Sequence, residues 1–164
     1  MSLLALFTLI MTAGGGIYLL SIWLIEYDKD FHAVAATRLP PPVLAGHVLL
    51  AGGGLLVWGY YVLADADDAA WLSLLMLCAA ASLGLVMAIR WIGVYRASRA
   101  SRASQATPRL VAVGAHDSAP APYRVQPEGP PERNFPLPVV IAHGAFAVIT
   151  LTLVLLTALG VGGS

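Results

Sequence analysis

The chain has 164 residues, of which 59% are apolar and only 11% charged, and its net charge is zero. Soluble domains usually carry about 25% charged residues, so too little charge is present to coat an ordinary water-facing surface. Zero net charge excludes a global field that would gather nucleic acid or an acidic substrate; the lone cysteine, Cys78, excludes an internal disulfide.

Four stretches meet the length of roughly 20 apolar residues needed to cross a hydrocarbon core. The first, Met1 to Ile25, is uncharged. No Lys or Arg precedes it, so it lacks the basic start of a cleavable signal peptide and is read as retained. Glu26, Asp28 and Asp30 follow it as a solvated helix end. The second, Val43 to Ala64, contains His47, and a short acidic link with Asp65, Asp67 and Asp68 leads on. The third, Ala69 to Ile89, is uncharged, and Cys78 within it is expected to be an inert buried thiol. The fourth, Val139 to Ser164, contains His143. All four are expected to be helices, because lipid offers no partner to an unpaired backbone group. Trp23, Trp58, Trp71 and Trp91 fall toward span ends, as interface anchors do. Gly14 to Gly16 and Gly52 to Gly54 suit close helix approach and lack the surroundings of a phosphate-binding loop.

The basic residues set an expected orientation. Lys29 and Arg38 lie in the first link. Arg96, Arg99, Arg102, Arg109, Arg124 and Arg133 lie in the third, with Arg90 at its edge; the second link and both termini have none. The first and third links are therefore expected in the cytoplasm and both termini outside, in a cell membrane. Residues 96–134 open with three copies of Arg-Ala-Ser, and six prolines follow from Pro108 to Pro131. Without a clear apolar period, this segment reads as a disordered linker. The organisation is then 1–95 for helices one to three, 96–134 for the linker and 135–164 for helix four.

A repeat runs through the spans. Pro40, Pro42, Val43, His47, Ala51 and Leu55 match Pro136, Pro138, Val139, His143, Ala147 and Leu151 at an offset of 96. Before them, Ala13, Gly16, Trp23 and Tyr27 match Ala81, Gly84, Trp91 and Tyr95 at an offset of 68. The fold class expected is all-α: a four-helix transmembrane bundle of two parallel helical-hairpin repeats, related by an axis along the membrane normal. His47 follows Pro42, just before its span, by five residues, and His143 follows Pro138 likewise, so the two are expected at equal depth.

Ionisable residues within spans are rare and often mark function. One haem b with His47 and His143 as axial ligands is the leading expectation. Ala51 and Ala147, one turn deeper, are small, and Gly54 and Thr150 lie two turns deeper on the same face. Arg38, Arg90 or Arg96 could meet the propionates. The pattern resembles small four-helix b-type cytochromes of the membrane, including the cytochrome b561-like group, in architecture and in these two ligand positions. That resemblance implies electron transfer, often to or from a quinone or another redox partner. One histidine pair does not support the two-haem arrangement of the b561 proteins. Three alternatives stand beside it: a metal or proton site on the same two imidazoles, a non-catalytic scaffold or accessory subunit of a membrane complex, and a small-solute transporter. His32 and His116 lie in loops and read as incidental. No nucleophile, base and acid fall together as a hydrolase would need.

The arginine asymmetry generates a direct test. Reporter fusions at Ser2 and Ser164 are expected to read external and one at Val113 cytoplasmic. A cytoplasmic reading at either terminus inverts the orientation.

Overall fold

The computed structural model describes residues 1–29, 37–64, 66–106 and 129–161, with the side chains of 28, 29, 105 and 106 left aside. Within these residues lie four α-helices and no strand: α1 (Ser2–Lys29), α2 (Pro41–Ala64), α3 (Asp67–Ala106) and α4 (Leu137–Ala158). A short 3-10 turn, Pro131–Asn134, precedes α4. Each helix contains a stretch long and apolar enough to cross a membrane. His32, Asp65, His116, Arg109, Arg124, residues 107–128 and Ser164 lie outside the described residues.

Local chemistry sets the helix ends. Prolines occupy the first turns of α2 and α4, where a missing N–H has no helical partner to lose. The carbonyl of Pro40 accepts from the N–H groups of Val43 and Leu44 at 2.9 and 3.1 Å. Pro136 does the same for Val139 and Val140 at 3.0 and 3.1 Å. The helix α4 stops at Ala158 instead of running on to Ser164. Gly160 takes φ 74°, a left-handed conformation that suits glycine. Its N–H bonds Thr157 and that of Val161 bonds Leu156, both at 2.9 Å, which closes the helix end.

The helices form a ring in chain order. α2 packs most extensively along α3, and α1 along α4, while α1–α2 and α3–α4 meet along slimmer seams. The diagonal pairs, α1 with α3 and α2 with α4, make no close backbone approach among the described residues. Residue numbers rise along one neighbour as they fall along the other: Trp58 donates to the Ser2 carbonyl, and Trp23 donates to Thr37. Adjacent helices are therefore antiparallel.

The apolar core, with Ala5, Leu9, Trp58, Leu74, Leu77 and Val154, sits at the end remote from the arginines. The outer surface is apolar as well: Leu49, Leu56 and Leu63 are 74%, 75% and 89% exposed. A helix apolar all round does not reveal its buried face by sequence. Hence Cys78, expected inside, is exposed on the bundle's outer surface. Trp71 is exposed, but Trp23, Trp58 and Trp91, expected as interface anchors, are buried in the bundle. A buried indole N–H needs an acceptor, and all three find one, with Trp91 donating to the Glu132 carbonyl at 3.1 Å.

Two findings replace the expected linker boundary. First, α3 continues through Arg96 to Ala106. Ala and Arg are strong helix formers, and no proline intervenes before Pro108. Ser101 and Ser104 bond back to the carbonyls of Ala97 and Ser101 instead of breaking the helix. Second, the 131–134 turn packs into the arginine-rich end of the bundle. Its Glu132 is 0% exposed. One carboxyl oxygen accepts from the Arg38 N–H at 2.6 Å, the other from the Thr37 hydroxyl at 3.1 Å.

Glu132 thus ties the approach to α4 to the link between α1 and α2. Glu132→Ala strips the part-buried Arg38 N–H of its acceptor, while the Thr37 hydroxyl keeps the Leu39 carbonyl at 3.2 Å. At about 1–3 kcal/mol for one orphaned group, a loss in that range in unfolding free energy is expected in detergent. An unfolding curve superimposable on wild type would show that the tie carries no stability.

Candidate functional site

His47 on α2 and His143 on α4 stand on diagonally opposed helices and converge across the bundle. Their ring centroids are 6.3 Å apart and the ring planes meet at 67°. Both rings are partly buried. Since α2 and α4 make no close backbone approach of their own, these side chains reach across a gap.

Each ring is held by a neighbouring helix through the same contact. His47 Nδ1 lies 2.8 Å from the Ala80 carbonyl oxygen of α3. His143 Nδ1 lies 2.9 Å from the Thr12 carbonyl oxygen of α1. A carbonyl only accepts, so Nδ1 carries the proton and donates in both rings. In the neutral imidazole this leaves the Nε2 lone pair free to bind.

Glycine makes these approaches geometrically open. In a helix the carbonyls of Thr12 and Ala80 are bonded by the N–H groups of Gly16 and Gly84, four residues on. A carbonyl has a second lone pair, and each imidazole takes it from the side where glycine has no side chain. A Cβ at Gly16 would stand 3.0 Å from His143 Cε1, and one at Gly84 would stand 3.1 Å from His47 Cε1. Gly15 also faces the His143 ring, at 3.4 Å to Cβ. Acceptors and glycines alike are 68 residues apart, and the histidines 96.

The remaining expected residues are placed as follows. Ala51 and Ala147 are half-buried, one turn along from the histidines. Two turns along, Gly54 and Thr150 are buried, and Thr150 Oγ1 lies 3.3 Å from Thr12 Oγ1. Arg90 stands toward the arginine-rich end, exposed, with Nη1 3.4 Å from the Arg38 carbonyl. It lies six residues past Gly84, about 9 Å further along α3. Arg96 is exposed beyond it.

No group of three or more His, Cys, Asp or Glu converges among the described residues. The centre is a pair of imidazoles and nothing more by way of metal-ligating side chains. No family model, curated protein or solved structure matches this chain. The chemistry of the site rests on its geometry. The histidines stand out in the sequence as a candidate site, and Gly16 with Gly84 only as matched repeat positions; the acceptors do not stand out at all. Backbone carbonyls leave no side-chain signature, and the only pointer was the aligned glycine one turn later.

Gly16→Ala and Gly84→Ala force a methyl group against an imidazole already fixed by its hydrogen bond. Overpacking of this kind typically costs about 1–3 kcal/mol, and a loss in that range is expected for each. Gly14, with nothing within 4 Å of its Cβ position, is the control, and Gly14→Ala is expected to be neutral or slightly stabilising. Thermal unfolding of the three variants checks this; equal behaviour would mean the glycines do not carry the rings.

Proposed function

We propose that this chain is a multi-pass membrane protein that binds one haem b between His47 and His143 and carries electrons. What supports it above all is the matched pair of rings, each donating Nδ1–H to a backbone carbonyl with Nε2 left free. Metal-ligating histidines almost always donate their other ring N–H in this manner, which fixes tautomer and orientation and raises ligand basicity. Metal–imidazole bonds are about 2.0–2.1 Å; with roughly 1 Å from each Nε2 to its ring centre, two rings meeting one metal from opposite sides would have centroids about 6 Å apart. The 6.3 Å between these centroids is compatible with that. Two ligands are too few for a usual zinc or copper site, but they complete a metal whose other positions a macrocycle fills.

Bound haem would supply a one-electron couple. The protein's own residues have separate tasks. His47 and His143 would supply the two nitrogen ligands, and the Ala80 and Thr12 carbonyls would orient them. Ala51 and Ala147 are small enough to leave space beside the rings. Arg38 and Arg90, at the nearer end of the bundle, would meet propionates. The four apolar helices and their apolar outer surface suit a bilayer. By the arginine distribution the 131–134 turn would face the cytoplasm. The shared offsets of 68 and 96 in contacts as well as residues favour a duplicated hairpin.

A second reading has its own observation behind it. Each ring is packed on a glycine and bonded to a neighbouring helix, so the pair would serve as two helix clasps in an accessory subunit. One experiment separates the two. Absorption spectra of purified protein, oxidised and reduced and with haem supplied, are expected to show a Soret band. His47→Ala and His143→Ala are each expected to abolish most of it, and Ala51→Leu or Ala147→Leu to lower haem content without touching a ligand. No Soret band in the wild type sinks the haem reading. Each histidine change would then cost only about 0.6 kcal/mol, the average for interhelical hydrogen bonds, and at most about 1–2 kcal/mol.

A further inference from the structure

A cleft of about 740 Å³ opens between the far end of α3 and the start of α4. Arg99 and Arg102 line one side, Arg133 and Asn134 the other, and Tyr95 and Phe135 add aromatic surface. Arg99 and Arg102 are three residues apart and share a face of α3. The Arg99 guanidinium carbon lies 5.9 Å from the Tyr95 ring centroid, within range of a cation–π contact. Tyr95 is in turn stacked on buried Trp91 at 5.1 Å. Arg133 comes from the turn that buried Glu132 anchors. The Glu132 carboxyl is itself occupied by Thr37 and Arg38.

Among the described residues no carboxylate lines this cleft. Three arginines therefore line one opening with no described acidic side chain beside them. Such a set repels itself and is relieved by a multivalent oxyanion, which arginine binds through paired N–H donors. The depth of the site is also informative. At 1.5 Å per residue the 40 residues of α3 extend about 60 Å, roughly twice a hydrocarbon core. Tyr95 to Ala103 then stands at or beyond the headgroup layer.

We propose that this cleft binds a phosphate group, carried by the headgroup of an anionic phospholipid. The cationic sides match the phosphate. The apolar part of the lining, Phe135 and Leu137 with Tyr95, matches the less polar remainder of an amphiphile. Basic pockets beside membrane helices bind lipid headgroups in this manner. The proposal does not depend on haem.

The test uses the full chain, purified in detergent and offered phosphatidylglycerol or phosphatidylcholine, with bound lipid counted by native mass spectrometry. Phosphatidylglycerol is expected to be retained about tenfold more strongly, and Arg99→Gln or Arg133→Gln each to lower that retention about fivefold. Arg96→Gln, an equal change of charge on the same helix outside the cleft, is expected to change it less than about twofold. If millimolar inorganic phosphate displaces the lipid with the same arginine dependence, the cleft is a phosphate site for a soluble ester. If it does not, the lipid is the occupant. Equal retention of the two lipids without any phosphate binding overturns the proposal. So does an Arg96→Gln loss as large as that of Arg99→Gln, because attraction would then be diffuse surface charge.

Discussion

An imidazole N–H bonded to the carbonyl of a neighbouring helix is the contact on which the centre of this bundle depends. It occurs twice, from His47 to Ala80 and from His143 to Thr12. Each bond fixes the rotation and axial position of one helix against another, because its acceptor is a single backbone atom. It also requires close approach, and Gly16 and Gly84 permit this. Interhelical hydrogen bonds in membranes contribute only about 0.6 kcal/mol on average, so specification matters here more than strength. With Nδ1 committed on both sides, the tautomer and the direction of each ring are settled together.

The two ends of the bundle are held by different physics. Away from the arginines, Trp58, Leu9, Leu77 and Val154 fill the interior and dispersion contacts dominate. At the arginine-rich end, buried and partly buried polar groups are bonded to one another: Trp23 to Thr37, Thr37 and the Arg38 backbone to Glu132, and Trp91 to the Glu132 carbonyl. Among the described residues no buried side-chain polar atom lacks a partner. A complete network is rigid, but the loss of one member removes a partner from each of the others it joins.

The four helices were legible because crossing length is a property of sequence alone. The histidine pair was legible because Pro-x-Pro-Val-x3-His is distinctive even in an apolar chain. Other features were hidden for identifiable reasons. Cys78 could not be placed by its neighbours, since the inward and outward faces of α3 around it are both apolar. Trp23 and Trp91 sit where interface anchors would, yet their partners, Thr37 and Glu132, come from segments that look like loops. Glu132 lies in a proline-rich stretch with nothing local to mark it, and its burial depends on contacts about 95 residues distant. The extension of α3 to Ala106 was readable in principle: Arg-Ala-Ser repeats carry a helical propensity that the neighbouring prolines obscured.

The pairing of α1 with α4 bears on how the fold is assembled. Of the four helices, α1 leaves the ribosome first and α4 last, yet α1 makes its widest contact with α4. About a hundred residues separate them, which at roughly 5–20 residues per second is on the order of 5–20 s of synthesis. For that interval α1 has only its slim seam with α2, while α2 and α3 can already join. Within this chain α1 therefore cannot make its widest contact until α4 has been synthesised.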